Sequence, residues 1–464
     1  MEIVTIYNER TFVYNYFNDN NVYTYIMYID TCMYTYKLCE AFFMERVIFH
    51  IDVNSAFLSW EAQYRLKHLN GKIDIRNIPS AVGGDISKRH GIILAKSVPA
   101  KKYNIKTGEP IVQALRKCPN LLIVPPNFSV YEKNSKAFMN ILKQYSPIVQ
   151  QYSIDEAFMD MTGTEKLFGK PLVAAHNLKD RIKNELGFTV NIGISSNKLL
   201  AKMASDFKKP DMVHTLFKSE IKDKMWNLPI GDLFFVGKAT EMKLKKIGIN
   251  TIGELAELDI EVVKSYLKKQ GETIWKFANG IDTSIVETIP SKNKGYGNST
   301  TTSFDVLTIN DAKLVFLSLA ENVSRRLRKD NCCAKLVSVG MRDCNLNFYS
   351  HQCVLKNPVN TTSEIYKVAC DLFREKWDGT PLRQLGISTG KIIYESDGIQ
   401  INLFQDEKSK KQQLLDSALD EIRNKYGSDS IKRASFIKNH KVDHMEGGIS
   451  KENLKVDYSK ERIL

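Results

Sequence analysis

The sequence predicts a multidomain α+β protein, and three observations support that prediction. The chain has 464 residues, well beyond the roughly 100–200 residues of one domain. Hydrophobic residues make up 43% and charged residues 26%, which is the composition of an ordinary folded protein. Apolar strand patterns alternate with helix patterns along most of the chain, as expected for sheets backed by helices.

Charge and cysteine content narrow the class of protein. Lys and Arg number 66 against 53 Asp and Glu, a formal net charge of +13. Such an excess favours a polyanionic partner, either nucleic acid or an anionic membrane surface. The sequence has no run of about 20 apolar residues, so we expect no membrane span. The eight cysteines include no C-x-x-C pair, which argues against a zinc site or a disulfide framework and favours a reducing cytoplasm.

Residues 1–43 differ from the rest of the chain. They hold five acidic and two basic residues, so the remainder carries +16, and they show no apolar period of 2 or 3.6. A clean strand pattern begins directly after Met44. We therefore expect the working chain to begin at Met44, with residues 1–43 as non-native upstream sequence read through into the protein. A genuine flexible arm is the alternative.

Residues 44–210 predict sheets backed by helices. The predicted strands cover 45–53, 78–82, 91–96 and 189–194, and 148–161 is predicted to be a tight strand pair. The predicted helices cover 55–69, 131–145, 171–186 and 197–207.

The second half of the chain changes character twice. Residues 211–288 predict short Lys-rich helices, and 289–295 has the composition of a linker. Residues 296–396 then read as strand, helix, strand, strand, helix, strand, a β-α-β-β-α-β module. A polar tail with one helical pattern, 410–425, follows. The first helix of the module ends in a basic run that fits either a DNA contact or favourable charge at a helix C-terminus: Arg325, Arg326, Arg328 and Lys329.

Three acidic residues stand at unusual places in apolar strands. Asp52 ends the first strand, and the pair Asp155-Glu156 interrupts the predicted strand pair. Acids between hydrophobic residues cost free energy unless they are neutralised, and a divalent cation is the simplest neutraliser. Three carboxylates could hold two Mg²⁺ ions about 3.5–4 Å apart, an arrangement used for displacement at phosphorus. A turn with exposed acids is the structural alternative.

Two motifs around these acids resemble the catalytic motifs of Y-family DNA polymerases, the translesion enzymes of the DinB and UmuC type. The motifs are HIDVNSAFLSWE at 50–61 and SIDEAF at 153–158. The resemblance covers about residues 46–395 and continues through four further segments: Ala81–Gly84, Pro99–Tyr103, Gly193–Ser195 and Lys209-Pro210.

The resemblance implies a multidomain right-hand polymerase with a ferredoxin-like palm, small fingers, a helical thumb with a helix-hairpin-helix, and a β-α-β-β-α-β little finger. The corresponding segments are palm, 44–53 and 123–210; fingers, 54–122; thumb, 211–288; linker, 289–295; little finger, 296–396; and tail, 397–464.

The resemblance also implies a reaction and its cofactor. Template-directed addition of dNTPs to a primer 3′-hydroxyl would use two Mg²⁺ ions, held by Asp52, Asp155, Glu156 and the Val53 carbonyl. Low fidelity and synthesis past damaged template bases are expected. All three carboxylates are present, which favours an active enzyme over the alternative of a non-catalytic DNA-binding accessory homologue. A nucleotide cyclase, which also uses paired acids, is a third hypothesis.

Several residues correspond to the family's nucleotide pocket. Phe57 stands at the aromatic steric gate against the sugar 2′-hydroxyl, although a core Phe at a helix start is the alternative. Lys101, where the family usually has Arg, and Lys209 correspond to triphosphate contacts. Val98 replaces a usual Tyr, so we expect weaker nucleotide affinity from this loop.

Two further segments correspond to partner contacts. Val236, Gly237 and Lys238 resemble the phosphate-binding hairpin of a helix-hairpin-helix, although Phe235 stands where the family has an earlier Gly; a Lys-rich surface helix pair is the alternative. Gln400, Leu403 and Phe404, within 400–404, resemble the peptide by which bacterial polymerases dock on the sliding clamp. We expect a monomeric, cytoplasmic enzyme that associates with the nucleoid and has no membrane contact.

Overall fold

The structure, a computed structural model, describes residues 3–8, 11–18, 21–28, 46–84, 91–397, 407–437 and 442. The chain divides into two compact units. The first unit comprises Met1–Asn54 and Phe138–Thr288, and the second comprises Ser55–Ala137 and Ile289–Leu464.

A five-stranded sheet, the central sheet, forms the middle of the first unit. Its order is Val213–Thr215, Val190–Ser195, Ile48–Val53, Glu156–Asp160, Val149–Gln151. Neighbours run antiparallel except for the outer pair at Val213–Thr215, which is parallel. Without that outer strand the chain order across the sheet is 4-1-3-2, which confirms the predicted ferredoxin-like palm. The sheet extends past the palm boundary predicted at residue 210.

Two helices cover one strand of the central sheet. Pro171–Leu186 and Lys198–Asp206 both pack on Val190–Ser195, and Lys198–Asp206 also packs on Ile48–Val53. The close approach depends on Gly193, because a Cβ there would overlap the backbone oxygen of Ala201. A glycine in a strand thus positions a helix against the strand that ends in Asp52.

The part of the first unit that follows the central sheet is helical, as predicted for 211–288. Its helices pack around one apolar core that includes Leu200, Met225, Leu244 and Ile274. The helices are Ile221–Lys224, Lys238–Lys246, Ile252–Glu257 and Ile260–Ala278. A short helix at Glu165–Phe168 precedes the palm helices.

The second unit begins with a small three-stranded sheet in the order Ile93–Lys96, Ser80–Gly83, Leu122–Val124. Leu122–Val124 pairs with Ser80–Gly83, and this strand spans the predicted boundary at which the palm resumes, residue 123. The helices of this region are Ala56–His68, Val98–Lys101, Ile111–Lys117 and Phe128–Leu142.

The β-α-β-β-α-β module is confirmed in the second unit. Helices Ile309–Lys329 and Thr362–Lys376 pack on a four-stranded antiparallel sheet. The sheet order is Gly295–Val306, Leu382–Tyr394, Cys332–Asp343, Phe348–Val359.

Part of the predicted polar tail packs against the β-α-β-β-α-β module. Glu407–Tyr426 is a helix, Ala434–Ile437 a second one, and Phe436 and Val442 lie in the module's apolar core. From sequence alone the helix 407–426 could fold back on the body or contact another protein, because the residues it turns toward the module are charged rather than apolar.

Arginines of the basic run hold that helix. Arg328 donates to Asp420 at 2.7 Å and lies 3.3 Å from Asp416, and Arg325 donates to Asn424 at 2.7 Å. These two side chains therefore contact the helix Glu407–Tyr426, and Arg328 also lies in the last turn of its own helix.

At the N-terminal end, strands Ile3–Asn8, Thr11–Asn18 and Asn21–Tyr28 form an antiparallel sheet. Sequence analysis found no strand period here, although the segment is rich in β-favouring Tyr, Ile, Val and Thr. Among the helices that the structure describes, none is long and apolar enough to cross a bilayer.

Candidate active site

The central sheet brings the predicted acids together at one edge. Asp52 and Glu156 are direct cross-strand partners in the antiparallel pair. Val53 N–H donates to the backbone carbonyl of Asp155 at 3.0 Å. Asp52, Val53, Asp155 and Glu156 therefore lie at the same end of two adjacent strands.

A tight turn positions Asp155. Its carboxylate accepts from Ser153 Oγ at 2.6 Å, and its N–H donates back to the same oxygen at 3.2 Å. Tyr152 and Ser153 both donate backbone N–H groups to the Glu156 carbonyl. These bonds explain why an acidic pair can interrupt an apolar strand pair without disordering it.

Two lysines link the acids through a fourth carboxylate. Lys209 contacts Asp52 and lies 2.8 Å from Asp206. Lys202 lies 3.3 Å from Asp206 and 3.3 Å from Glu156. The order Asp52–Lys209–Asp206–Lys202–Glu156 defines a lysine–carboxylate chain that joins the two strands.

His50 is a buried neighbour of the Glu156 carboxylate. Its Nδ1 lies 2.7 Å from Ser205 Oγ, and its Nε2 lies 3.4 Å from Glu156 Oε2. Burial lowers the pKa of His50. Burial would raise the pKa of Glu156, but His50 and Lys202 outweigh it and lower that pKa to about 2. Glu156 therefore stays ionised at neutral pH.

Asp52 differs from its partner. Burial raises its pKa, and the opposing charge of Lys209 does not fully compensate. A buried carboxylate with this tendency gains from any added positive charge. The two acids therefore have unequal affinities for a proton.

The donor set fits a divalent cation that is shared with a substrate. Among the described residues, no three acidic, His or Cys side chains converge closely enough to enclose an ion by themselves. Mg²⁺ is commonly bound by one or two protein carboxylates together with substrate phosphates. The pair Asp52–Glu156 can supply the carboxylates.

Phe57 lies in the second unit within a group of aromatic rings. It stacks on Tyr131 at 4.9 Å between ring centroids and meets Phe128 edge-on at 5.9 Å. Trp60 lies 6.1 Å away. The ring is only partly buried and packs against an apolar core, so its orientation is fixed while part of it stays accessible.

Lys101 lies in a basic cluster of the second unit that also contains Lys96 and Lys106. It ends the short helix Val98–Lys101, whose first turn is capped by Ser97 Oγ accepting from Ala100 N–H. Burial and the nearby charge of Lys101 together lower the pKa of Lys96. The cluster is suited to bind an anion.

The predicted hairpin precedes the helix Lys238–Lys246. Val236 is buried, whereas Gly237 and Lys238 are exposed. Gly237 caps the helix without a side-chain hydrogen bond, so the cap residue does not satisfy the first N–H groups of the helix, which also lack intrahelical acceptors.

Sequence analysis missed His50, Lys202, Asp206 and Lys96. Lys202 had a usable signal, since it stands among Ala201, Met203 and other buried residues of a short helix and is itself buried. A buried lysine requires a carboxylate partner.

Comparison with known proteins identifies the chain's family. Residues 51–206 match the impB/mucB/samB family, and 293–403 match that family's C-terminal domain. Residues 231–282 match the thumb domain of DNA polymerase iota. DNA polymerase IV of Clostridium acetobutylicum is 47% identical over 396 residues, which cover 85% of this chain and 99% of the relative. The chain belongs to the Y family of DNA polymerases.

Other relatives agree with this assignment. The polymerase is 36% identical to DNA polymerase IV 1 of Bacillus subtilis, covering 85% of this chain and 94% of that one. The solved Y-family DNA polymerase chimera of Dbh and Dpo4 matches with a TM-score of 0.64 at 22% identity, over 75% of this chain and 99% of that chain, which supports the fold. The predicted family, fold class and DNA-directed translesion polymerase activity are confirmed, and nothing favours the inactive accessory alternative.

Proposed function

We propose that this polymerase extends a primer 3′-hydroxyl with dNTPs at the sheet edge that carries Asp52, Asp155 and Glu156. The cross-strand pairing of Asp52 with Glu156 is the observation that carries the proposal. Two Mg²⁺ ions would be held by the three carboxylates and the Val53 carbonyl. Bound there, they would lower the pKa of the attacking hydroxyl and neutralise the leaving pyrophosphate.

Lys202 and Lys209 compensate the acidic charge when no substrate is bound. Their ammonium groups contact Glu156 and Asp52, the two acids that would ligate metal. We expect Lys209 to transfer its contact from Asp52 to the triphosphate. A metal ion bound to Asp52 would displace the lysine ammonium, and the anionic triphosphate would then attract it.

Phe57 and Lys101 are two further proposed nucleotide contacts, both in the second unit. The ring of Phe57 would exclude a ribose 2′-hydroxyl, and its packing on Tyr131 prevents it from turning aside. Lys101 would supply charge to the triphosphate without the bidentate geometry of an arginine.

The hairpin Val236–Lys238 would hold the backbone of primer-template DNA through exposed N–H groups and Lys238. The peptide Gln400, Leu403 and Phe404 would dock on the sliding clamp; 400–404 lies outside the described residues. We propose a monomer that works in the cytoplasm at the nucleoid.

Asp155→Asn tests the site. We expect loss of primer extension by more than about 100-fold, since a neutral amide is a poor Mg²⁺ ligand, with duplex binding retained. Asp160→Asn is the matched control, because Asp160 ends the strand that begins directly after Asp155 and lies 3.9 Å from Arg46. Extension by Asp155→Asn at the rate of the control would contradict the metal assignment.

A further inference from the structure

Phe235 has an unusual backbone conformation for a bulky residue. Its φ is +73°, in the left-handed region that favours glycine. Gly237, two residues later, has an ordinary φ of −83°. The position whose backbone conformation favours glycine therefore carries an aromatic residue. Backbone strain of this kind often occurs at functional sites, where the strained residue contributes to binding.

The ring of Phe235 is held but not buried. It meets Phe234 at 4.9 Å and Phe277 at 5.7 Å, both nearly perpendicular, and 57% of the residue is exposed. Its carbonyl accepts from Gln270 at 3.5 Å. Phe234 points inward instead, with its N–H on Met203 Sδ and its ring 6.5 Å from Tyr152.

The helix that begins directly after the hairpin carries exposed lysines. They are Lys238, Lys243 and Lys246. An exposed apolar ring followed by a lysine-bearing helix suits a partner that is polyanionic and also offers apolar faces. The sugar–phosphate backbone of DNA has both, whereas a protein partner would have to pair the lysines with acids.

We propose that Phe235 packs against the deoxyribose of DNA next to the phosphate held by the hairpin, and that the backbone strain is retained for this contact. The inference rests on the proposed DNA contact of Val236–Lys238. It assigns that contact an aromatic component that does not depend on charge.

The test compares Phe235→Gly with Phe235→Tyr in the full chain. Thermal unfolding and binding of a fluorescent primer-template duplex are measured over a range of salt concentrations. We expect Phe235→Gly to unfold at a higher temperature because the strain is relieved, yet to bind DNA about 5-fold more weakly at every salt concentration. Phe235→Tyr should bind like the parent protein.

The salt dependence separates this inference from the proposed hairpin contact. Lys238→Met should reduce the slope of log affinity against log salt by about 1, whereas Phe235→Gly should leave it unchanged. Phe235→Gly that is more stable and binds DNA undiminished overturns the aromatic contact but not the hairpin. If Lys238→Met also leaves affinity and slope unchanged, the hairpin contact and this inference are both overturned.

Discussion

At the scale of single residues, the packing of Phe57 determines what its removal should do. Tyr131 stacks on the face of the ring at 4.9 Å between centroids, which fixes the orientation of Phe57. We expect Phe57→Ala to admit ribonucleotides and to lower dNTP-over-rNTP selectivity by at least about 10-fold. Single-nucleotide insertion with matched dNTP and rNTP measures the ratio.

Phe128→Ala is the matched control for that prediction. It removes a ring from the same group, at 5.7 Å from Tyr131, but leaves the Phe57 side chain in place. If the dNTP-over-rNTP selectivity stays unchanged in Phe57→Ala, or falls equally in Phe128→Ala, Phe57 is a core residue and not a steric gate.

The acids were predictable from sequence and their cationic partners were not. Asp52 and the pair Asp155-Glu156 interrupt apolar strands, a pattern visible in one dimension. Lys202 and His50 matter only because the fold places them 3.3 Å and 3.4 Å from Glu156. Such contacts join residues about 50–100 positions apart, so local patterns do not reveal them.

At the scale of elements, the helix Lys198–Asp206 is held against the central sheet by Gly193. A methyl group there would overlap the Ala201 oxygen and lie 2.5 Å from Ser205 N. We expect Gly193→Ala to lower the free energy of unfolding by about 1–3 kcal/mol. Extension should fall as well, because the helix carries Lys202.

Gly390→Ala provides the comparison for Gly193→Ala. Gly390 lies in a little-finger strand, and an added Cβ would meet only the Leu336 side chain, at 3.6 Å or more. Urea denaturation of both variants gives the two unfolding free energies. Equal effects would show that loss of a strand glycine, rather than the helix approach, is responsible.

The helix Glu407–Tyr426 is held by buried charges. Glu321 is 1% exposed and accepts from Arg423 at 3.1 Å and from Arg433 at 2.8 Å. We expect Glu321→Gln to destabilise the protein by about 3–5 kcal/mol, because the buried Arg423 guanidinium loses the carboxylate that it faces. Thermal and urea unfolding measure the loss.

Asp371→Asn serves as the control for that substitution. Asp371 pairs with Arg374 at 2.8 Å, but both side chains are about half exposed, so we expect a change below about 1 kcal/mol. A Glu321→Gln variant no less stable than this control would mean that the buried network does not hold the helix.

At the scale of the whole molecule, the net charge of +13 predicts salt-dependent DNA binding. Each phosphate contact contributes a slope of about −0.9 in log affinity against log salt. We therefore expect a steep negative slope for a primer-template duplex, measured by fluorescence anisotropy. A slope near zero would contradict an electrostatic mode of binding.

Arg325→Met tests whether a positive charge that is engaged within the protein contributes to DNA binding. Arg325 donates to Asn424 and Ser428 at 2.7 Å and 3.0 Å, so its charge is engaged within the protein. The slope for this variant should match that of the parent. A reduced slope would place Arg325 on the DNA.

The sequence predicted the order of elements well but not how they combine. Periodicity located the β-α-β-β-α-β module and the strands of the palm. It could not assign Leu122–Val124 or Val213–Thr215 to their sheets, because strand pairing depends on distant partners. Nor could periodicity show where the helix Glu407–Tyr426 packs. The buried face of this helix is charged, whereas a helix usually packs through an apolar face.

The central sheet also governs when the active site can form during synthesis. Its middle strand, Ile48–Val53, pairs with Glu156–Asp160 and Val190–Ser195, which emerge from the ribosome more than a hundred residues later. At about 5–20 residues per second, this apolar strand stays unpaired on the order of ten seconds. Translation must pass Lys209 before Asp52 has all its partners, so this apolar strand is open to wrong pairing and aggregation until then.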